Sequence, residues 1–486
     1  MTTSHGGMEI DMEETRHVRK RDIYKRIITF SEGVLLLAAE VLLFARMWYT
    51  EYADNTQAIQ IPFWNKGNWA VIGMYAIIIY LFTKLYGGYK VGFLRVMDVL
   101  FSQILSLVCA NIVGYVELCI IARNYLPALN MIELTFLEII VIFIWVFVCR
   151  MMYRKFYPPR HLLLVYGYKT PTEFIIADRI HVSEGEKALK EKILQYDGII
   201  LCETKAYIRN ELVKYCFEHS IRSYVVPKLS DIIILGAEPI HLFDTPLLLS
   251  RNQGLTGEDM IFKRLMDIIV SLIMIIIFSP FMILIALAIK LYDRGPVFYK
   301  QDRLTLNGRV FKIMKFRSMR MDSEEHGAQL ARKHDDRITP VGRVIRATHL
   351  DELPQLFNIL KGDMSVVGPR PERPEIAAQY RETFPEFDYR LKMKAGLTGY
   401  AQVYGKYNTT PRDKVKLDLT YYEQYSLWLD LKLILLTFKI LFQKENTEGI
   451  DANQTTAIRE DKTKKTGIKH PHDEAEDAFY SVEEKK

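Results

Sequence analysis

Four long runs of apolar residues open the chain, at about 27–48, 69–86, 97–121 and 131–149. Each holds roughly 20 residues or slightly more, the length a helix needs to cross about 30 Å of hydrocarbon. The pattern predicts four transmembrane helices in one membrane domain over 1–156. The first run is too long for the apolar stretch of a cleaved signal peptide and lacks a small-residue cleavage site. Lys and Arg then orient the domain. They gather before the first run (Arg19, Lys20, Arg21, Lys25, Arg26), between the second and third (Lys84, Lys90, Arg95), and after the fourth (Arg150, Arg154, Lys155, Arg160). The opposite side carries only Arg46, Lys66 and Arg123. This bias assigns the three basic segments to the cytoplasm, and an even number of spans returns the chain there. Glu32, Glu40, Glu117, Glu133 and Glu138 lie in or near these runs. Each reads either as a functional group or as packing in the bundle interior or near the interface, and no transporter follows from them.

From 157 to 255 the pattern changes to short apolar strands at 162–166, 198–202 and 222–226, with helical stretches at 183–195 and 208–219. Such β-α-β alternation predicts an α/β Rossmann-like domain with a parallel sheet. A dinucleotide site would need G-x-G-x-x-G after the first strand. Gly167-Tyr168-Lys169-Thr170 supplies one of the three glycines. The domain is therefore read as scaffolding or regulation rather than as a nucleotide site.

A fifth apolar run, 268–289, is also long enough to span, but Ser279-Pro280 falls in its middle. Proline removes an N–H and clashes with the preceding turn, so a sharp break is expected there. Lys263 and Arg264 flank one end and Lys290, Arg294 and Lys300 the other. With positive charge at both ends, a re-entrant hairpin using one leaflet fits better than a kinked fifth span. The choice decides on which side everything after it lies.

Composition adds mainly exclusions. The 486 residues are 49% hydrophobic and 25% charged, and the net charge of +6 is too small to argue for a nucleic-acid partner. Five cysteines without C-x-x-C spacing give no disulfide framework and no zinc site. The informative charges are local. Between 299 and 373 they group as Lys300-Gln301-Asp302-Arg303, Lys315-Phe316-Arg317, Asp335-Asp336-Arg337, Arg343 with Arg346, His349-Leu350-Asp351-Glu352 and Pro369-Arg370-Pro371. Cations around the carboxylate pair Asp351-Glu352 suit phosphoryl transfer, where Arg and Lys spread charge over phosphate oxygens and a carboxylate holds a metal or attacks phosphorus.

In order along the chain, Phe278-Ser279-Pro280, Gly295-Pro296-Val297-Phe298, Lys315-Phe316-Arg317-Ser318-Met319, Asp336-Arg337-Ile338-Thr339-Pro340-Val341-Gly342, Leu350-Asp351-Glu352-Leu353-Pro354, Lys361-Gly362-Asp363-Met364-Ser365 through Pro371, and Gly396-Leu397-Thr398-Gly399-Tyr400 resemble the polyprenol-phosphate hexose-1-phosphate transferases. These bacterial sugar transferases are also called monotopic phosphoglycosyl transferases. The dense resemblance covers 258–445, and the earlier parts resemble larger members in architecture only. Thr305 departs from the pattern, standing where many members have glycine.

The resemblance implies a membrane four-helix domain, a Rossmann-like domain and an α-rich catalytic domain over 256–445 with a re-entrant membrane helix broken at Ser279 and Pro280. It implies Asp351 as the nucleophile on the β-phosphorus of a UDP-sugar donor, releasing UMP, with Glu352 as its dyad partner. Mg2+ near Asp351 would neutralise the diphosphate. Lys315, Arg346 and Arg370 would line the phosphate pocket, with Arg303, Arg317 and Arg337 as neighbours. Undecaprenyl phosphate would be the acceptor, and glucose or galactose the hexose. The product would start exopolysaccharide, capsule or O-antigen synthesis at the cytoplasmic face of the bacterial inner membrane. The first two domains offer surfaces for a homodimer. The stretch 421–442 reads as an interfacial helix with Trp428 at headgroup depth or as a core helix, and the charged tail 446–486 as disordered.

Overall fold

The computed structural model describes residues 5–53, 65–92, 94–157, 160–167, 178–242, 244–250, 255–320, 337–405 and 409–441. The tail 446–486, Asp335, Asp336 and residues 168–170 of the glycine turn lie outside them. The chain forms two compact units, Met1–Ile232 and Ile233–Lys486.

The first unit begins with helices α1 (His5–Met47), α2 (Asn65–Tyr86), α3 (Val96–Ala122) and α4 (Leu129–Phe156). All four contain stretches long and apolar enough to cross a membrane. Helix α1 starts well before the apolar run because its polar leader is rich in Glu, Lys, Arg and Met, all strong helix formers. The bundle core is largely apolar but encloses several polar side chains, Glu138 among them. Glu138 is fully buried and accepts hydrogen bonds from the Tyr75 hydroxyl at 2.8 Å and from Asn111 Nδ2 at 2.8 Å. Tyr75 also stacks on Phe44, with ring centroids 3.9 Å apart. Glu32 and Glu40 are buried too, whereas Glu133 faces outward.

Next come β1 (Leu162–Tyr166), β2 (Arg179–His181), α5 (Glu186–Ile193), β3 (Gly198–Cys202), α6 (Ala206–Glu218), β4 (Arg222–Val225) and α7 (Leu229–Leu235). The strands form one parallel sheet in the order β2-β1-β3-β4. Alternate residues feed its two faces. Leu163, Val165, Ile199 and Leu201 pack with Leu189, Ile193, Leu212 and Cys216, while Leu164, Ile200 and Cys202 pack on the other side. The expected β-α-β alternation is present. The additional strand β2 is only three residues long, too short to carry a periodic signal.

The second unit contains a hairpin, β5 (Glu238–Leu242) with β6 (Thr245–Leu249), followed by the 37-residue helix α8 (Gly257–Asp293). Then come β7 (Phe298–Leu304), β8 (Val310–Phe316), α9 (Pro340–Ala347), α10 (Gln355–Lys361), β9 (Ser365–Val367), α11 (Pro374–Thr383), β10 (Gly396–Thr398), α12 (Tyr400–Tyr404), α13 (Pro411–Glu423) and α14 (Leu427–Leu441). Strands β7 and β8 pair antiparallel, and β9 and β10 pair parallel, so two small sheets sit among the helices.

Helix α8 runs as one helical element through Ser279 and Pro280, the position of the expected break. Proline cannot donate to the carbonyl four residues back, that of Ile276. The Ser279 hydroxyl donates to that same carbonyl at 3.0 Å, so the freed acceptor is satisfied. Residues on both sides of Pro280, from Val270 to Phe278 and from Met282 to Ile289, join one core with Phe316, Ile345, Leu356 and Val367.

A buried polar knot fastens α8 to this core. Lys263 Nζ contacts Asp430 Oδ2 at 2.7 Å and donates to the Val367 carbonyl at 3.0 Å; the side chains of Lys263 and Asp430 are 7% and 0% exposed. Asp267 accepts from the Ser365 hydroxyl and the Val366 N–H, each at 2.9 Å. Removing one member of a buried ion pair strands the other's charge and typically costs about 3–5 kcal/mol, whereas replacing both with apolar groups is often close to neutral. Lys263→Met is therefore expected to lower the thermal unfolding temperature of the detergent-held protein sharply. Lys263→Met combined with Asp430→Leu should recover most of that loss in the same measurement.

Candidate active site

The local sequence dictates a tight turn around Asp351 and Glu352. Helix α9 is opened by Thr339, whose hydroxyl accepts from the Gly342 N–H at 2.9 Å, with Pro340 in the first turn where its missing N–H does no harm. Glycine is required at 342 because a Cβ there would meet the Ser318 carbonyl oxygen at 1.9 Å. The helix ends at Ala347 with Thr348 as its cap, His349 adopts a left-handed conformation (φ 55°), and a single 3-10 turn, Leu350–Glu352, follows before α10. Leu353 and Leu356 anchor the turn in the core.

Two other segments converge on this turn. Lys315 lies on the same face of β8 as the buried Phe311 and Ile313, and its Nζ meets Glu352 Oε1 at 2.7 Å. Arg370, between Pro369 and Pro371, brings Nη2 to the same oxygen at 3.0 Å. The Glu352 side chain is 13% exposed. Burial alone would push its carboxyl up, but Arg370 and Lys315 outweigh that and hold it well below the usual carboxylate range. Asp351 is moved the other way: burial, reinforced by the negative charge of Glu352, raises it above the ordinary aspartate value, against the pull of Lys315 and Arg346. Among the described residues the Asp351 carboxylate is in no ion pair or hydrogen bond. One carboxylate of the dyad is thus committed to two cations and the other is left uncommitted among the described residues.

The remaining expected residues divide. Arg346, one turn before His349 on α9, acts on Asp351 by charge. Arg303 donates to the Pro371 carbonyl at 3.1 Å and lies 3.7 Å from Glu372, so it supports the loop that carries Arg370. Arg317 does not join the cluster. It is 7% exposed, its guanidinium is committed to Asp293 at the end of α8, and it fills the space a side chain at Gly295 would need. A cation two residues from Lys315 looks equivalent in sequence, but Arg317 lies just past the end of β8, where strand alternation no longer sets its direction. Arg337 borders residues 321–336, outside the described region; its carbonyl accepts from the Arg320 N–H at 2.9 Å. Thr305, which departs from the family pattern, is 1% exposed and ties two segments together. Its hydroxyl donates to the Asp363 carbonyl at 2.9 Å and accepts from the Ala395 N–H at 3.1 Å.

Among the described residues no three His, Cys, Asp or Glu side chains gather as a metal cage. A lone uncommitted carboxylate still fits Mg2+, which commonly takes one or two carboxylates and draws its other ligands from water and substrate phosphates. Sequence reasoning missed Arg390 and Asp418, a buried pair 2.9 Å apart beside the Arg370 loop. Nothing in their spacing signals it.

The opposed shifts predict opposite stability effects. A raised Asp351 means the folded state favours the proton more than the unfolded chain does, so this group erodes stability as pH rises through its folded pKa. Asp351→Asn should therefore melt at a higher temperature than wild type at neutral pH, with the gain shrinking on acidification. A depressed Glu352 contributes stability above its unfolded pKa of about 4.3, and that contribution is lost as pH falls. Glu352→Gln should melt lower at neutral pH and approach wild type in acid. Melting temperature against pH for both variants checks the signs.

Residues 258–444 match the family model described as bacterial sugar transferase. The chain is 43% identical over 209 residues to the UDP-glucose:undecaprenyl-phosphate glucose-1-phosphate transferase of Klebsiella pneumoniae, covering 42% of this chain and 43% of that protein. The chain thus matches less than half of that relative's length. It is 34% identical over 299 residues to the UDP-N-acetylgalactosamine-undecaprenyl-phosphate N-acetylgalactosaminephosphotransferase of Aeromonas hydrophila, covering 59% and 68%. It is 40% identical over 189 residues to a UDP-glucose:undecaprenyl-phosphate glucose-1-phosphate transferase of Caulobacter vibrioides, covering 38% of this chain and 71% of that one. With matches of this identity over more than two thirds of two relatives, and with its Lys315, Glu352 and Arg370 cluster built from the matched segment, the chain belongs to the bacterial sugar transferase family.

Proposed function

We propose that this protein transfers a hexose-1-phosphate from a UDP-sugar to undecaprenyl phosphate through a covalent phosphosugar intermediate on Asp351. The observation that carries the reading is the division of the dyad: Glu352 is held by Lys315 and Arg370, while Asp351 is buried beside them and uncommitted among the described residues. In the first step an Asp351 oxygen attacks the β-phosphorus of the donor. A P–O bond to the carboxylate forms, the bond between β-phosphorus and bridging oxygen breaks, and UMP leaves with that oxygen. In the second step a phosphate oxygen of the lipid attacks the same phosphorus and displaces Asp351, giving a diphosphate-linked sugar. Burial makes the Asp351 carboxylate a stronger nucleophile, and Lys315, Arg346 and Arg370 offset the charge of the entering diphosphate. Mg2+ held by Asp351 and the diphosphate oxygens would supply further neutralisation of that charge. The relatives' names specify glucose in some cases and N-acetylgalactosamine or galactose in others, so the donor class is a UDP-hexose.

The lipid acceptor calls for a site at a membrane surface. We read α8 as a re-entrant helix, with the catalytic core on the cytoplasmic face of the bacterial inner membrane, where the product starts an exopolysaccharide, capsule or O-antigen. Two features support this: both halves of α8 pack on one core, and basic residues sit at both of its ends.

The chemical test is UMP release by nanodisc-held protein given undecaprenyl phosphate, Mg2+ and a panel of UDP-hexoses. One donor should yield UMP, with Asp351→Asn at least about 10^3-fold slower and Lys315→Ala about 10^2–10^3-fold slower. Release of UDP instead would mean that the sugar alone is transferred and would sink the covalent step. The topology test places single cysteines at the exposed positions Lys187 and Lys361 in a background without native cysteines. An impermeant maleimide should label both from the same side of oriented vesicles, and labelling from opposite sides would make α8 a true span.

A further inference from the structure

Arg370 differs from the other cation on Glu352. Lys315 is fixed by a paired strand and is 20% exposed, whereas the Arg370 side chain is 57% exposed and projects from a Pro-Arg-Pro loop. The two prolines fix φ at 369 and 371 and favour extended backbone at Arg370 itself. What remains is the tilt of the peptide unit joining Arg370 to Pro371. Because proline has no N–H, the only hydrogen-bonding handle on that unit is the Arg370 carbonyl. Arg390 takes it: Nη2 donates to that oxygen at 3.0 Å. The same nitrogen lies 2.9 Å from Asp418 Oδ2, the two side chains are 3% and 1% exposed, and the guanidinium sits 5.1 Å from the centre of the Phe387 ring. A buried charge is costly without a partner, and Asp418 supplies it, so this is a buried ion pair rather than a surface contact.

We propose that Arg390, held by Asp418, is a positioning residue for the transfer reaction: by clamping the Arg370 carbonyl it sets the Arg370 guanidinium against Glu352 and the substrate phosphate. The inference rests on the role given to Arg370 above. Arg390 donates to the main chain and acts through Arg370. A misplacement of about 1 Å in such a group can cost about 10^2-fold in rate.

A double-mutant cycle separates positioning from mere packing. UMP release is measured on the full chain in nanodiscs, using the most active UDP-hexose of the panel, for wild type, Arg390→Gln, Arg370→Ala and the double variant, with melting temperature recorded for each. Arg390→Gln should lower kcat/KM about 10^2-fold on its own. In the Arg370→Ala background the same change should cost less than about 3-fold, because the group it positions is already gone. Equal losses in both backgrounds, or no loss in either, would overturn the proposal. If Arg390→Gln does not fold, Asp418→Asn, which frees Arg390 without removing it, enters the cycle under the same expectations. If Arg370→Ala alone keeps wild-type turnover, the reading of the site fails and takes the clamp with it; additive losses after a damaging Arg370→Ala sink only the clamp.

Discussion

The catalytic unit is organised around one shared acceptor, the Glu352 carboxylate between Lys315 and Arg370. The three groups come from a β-strand, a 3-10 turn and a proline-bounded loop, which have no sequence contact with one another. Bringing two cations together without a counter-charge would be repulsive, and burying a carboxylate without cations would cost several kcal/mol. Together they neutralise much of one another's charge. Asp351 beside them is the group whose ionisation is opposed by burial and by the negative charge of Glu352.

That cluster keeps its shape only because the backbone beneath it is packed at contact distance. A Cβ at Gly396 would meet the Gly368 nitrogen at 2.1 Å, and one at Gly399 would meet the Gly368 carbonyl oxygen at the same distance. The stretch from Val367 to Pro371 is then held by cations on its carbonyls: Lys263 on Val367, Arg390 on Arg370 and Arg303 on Pro371. Each of these cations faces its own carboxylate, in Asp430, Asp418 and Glu372. Lys263 belongs to α8, so the apolar helix and the Arg370 loop share one anchor.

Much of the architecture was legible before any coordinates. The apolar runs exposed the helices because length and hydropathy suffice, and β1 and β3 fell at the expected residues because a buried parallel strand reads as a short continuous apolar block. Strand β2 and the hairpin β5–β6 were illegible: the first has three residues and the second exposes nearly every position, so neither leaves a burial pattern. At the site the motif residues Lys315, Asp351, Glu352 and Arg370 did converge. Arg317 carried the same charge in the same motif and went to Asp293, because it lies past the end of β8, where strand alternation no longer sets its direction. Arg390 and Asp418 stayed invisible, since a pair 28 positions apart on separate elements has no periodic or motif signature.

These differences clarify what the recurring residues do. Thr339-Pro340 with Gly342 starts a helix against Ser318, Gly368 with Gly396 and Gly399 lets two backbone segments touch, and Ser279 satisfies the carbonyl that Pro280 leaves open. None of these contacts a reacting atom. They set the path of the chain so that a few charged side chains can meet, and such constraints are stricter than those on charge because main-chain atoms cannot be repacked around an added methyl group. Thr305 shows how a departure is absorbed. Its backbone is extended, so no glycine is needed, and its hydroxyl bridges the loop after α10 to Ala395, the residue before β10. A motif position of this kind tolerates change when the new side chain supplies a bond the fold can use.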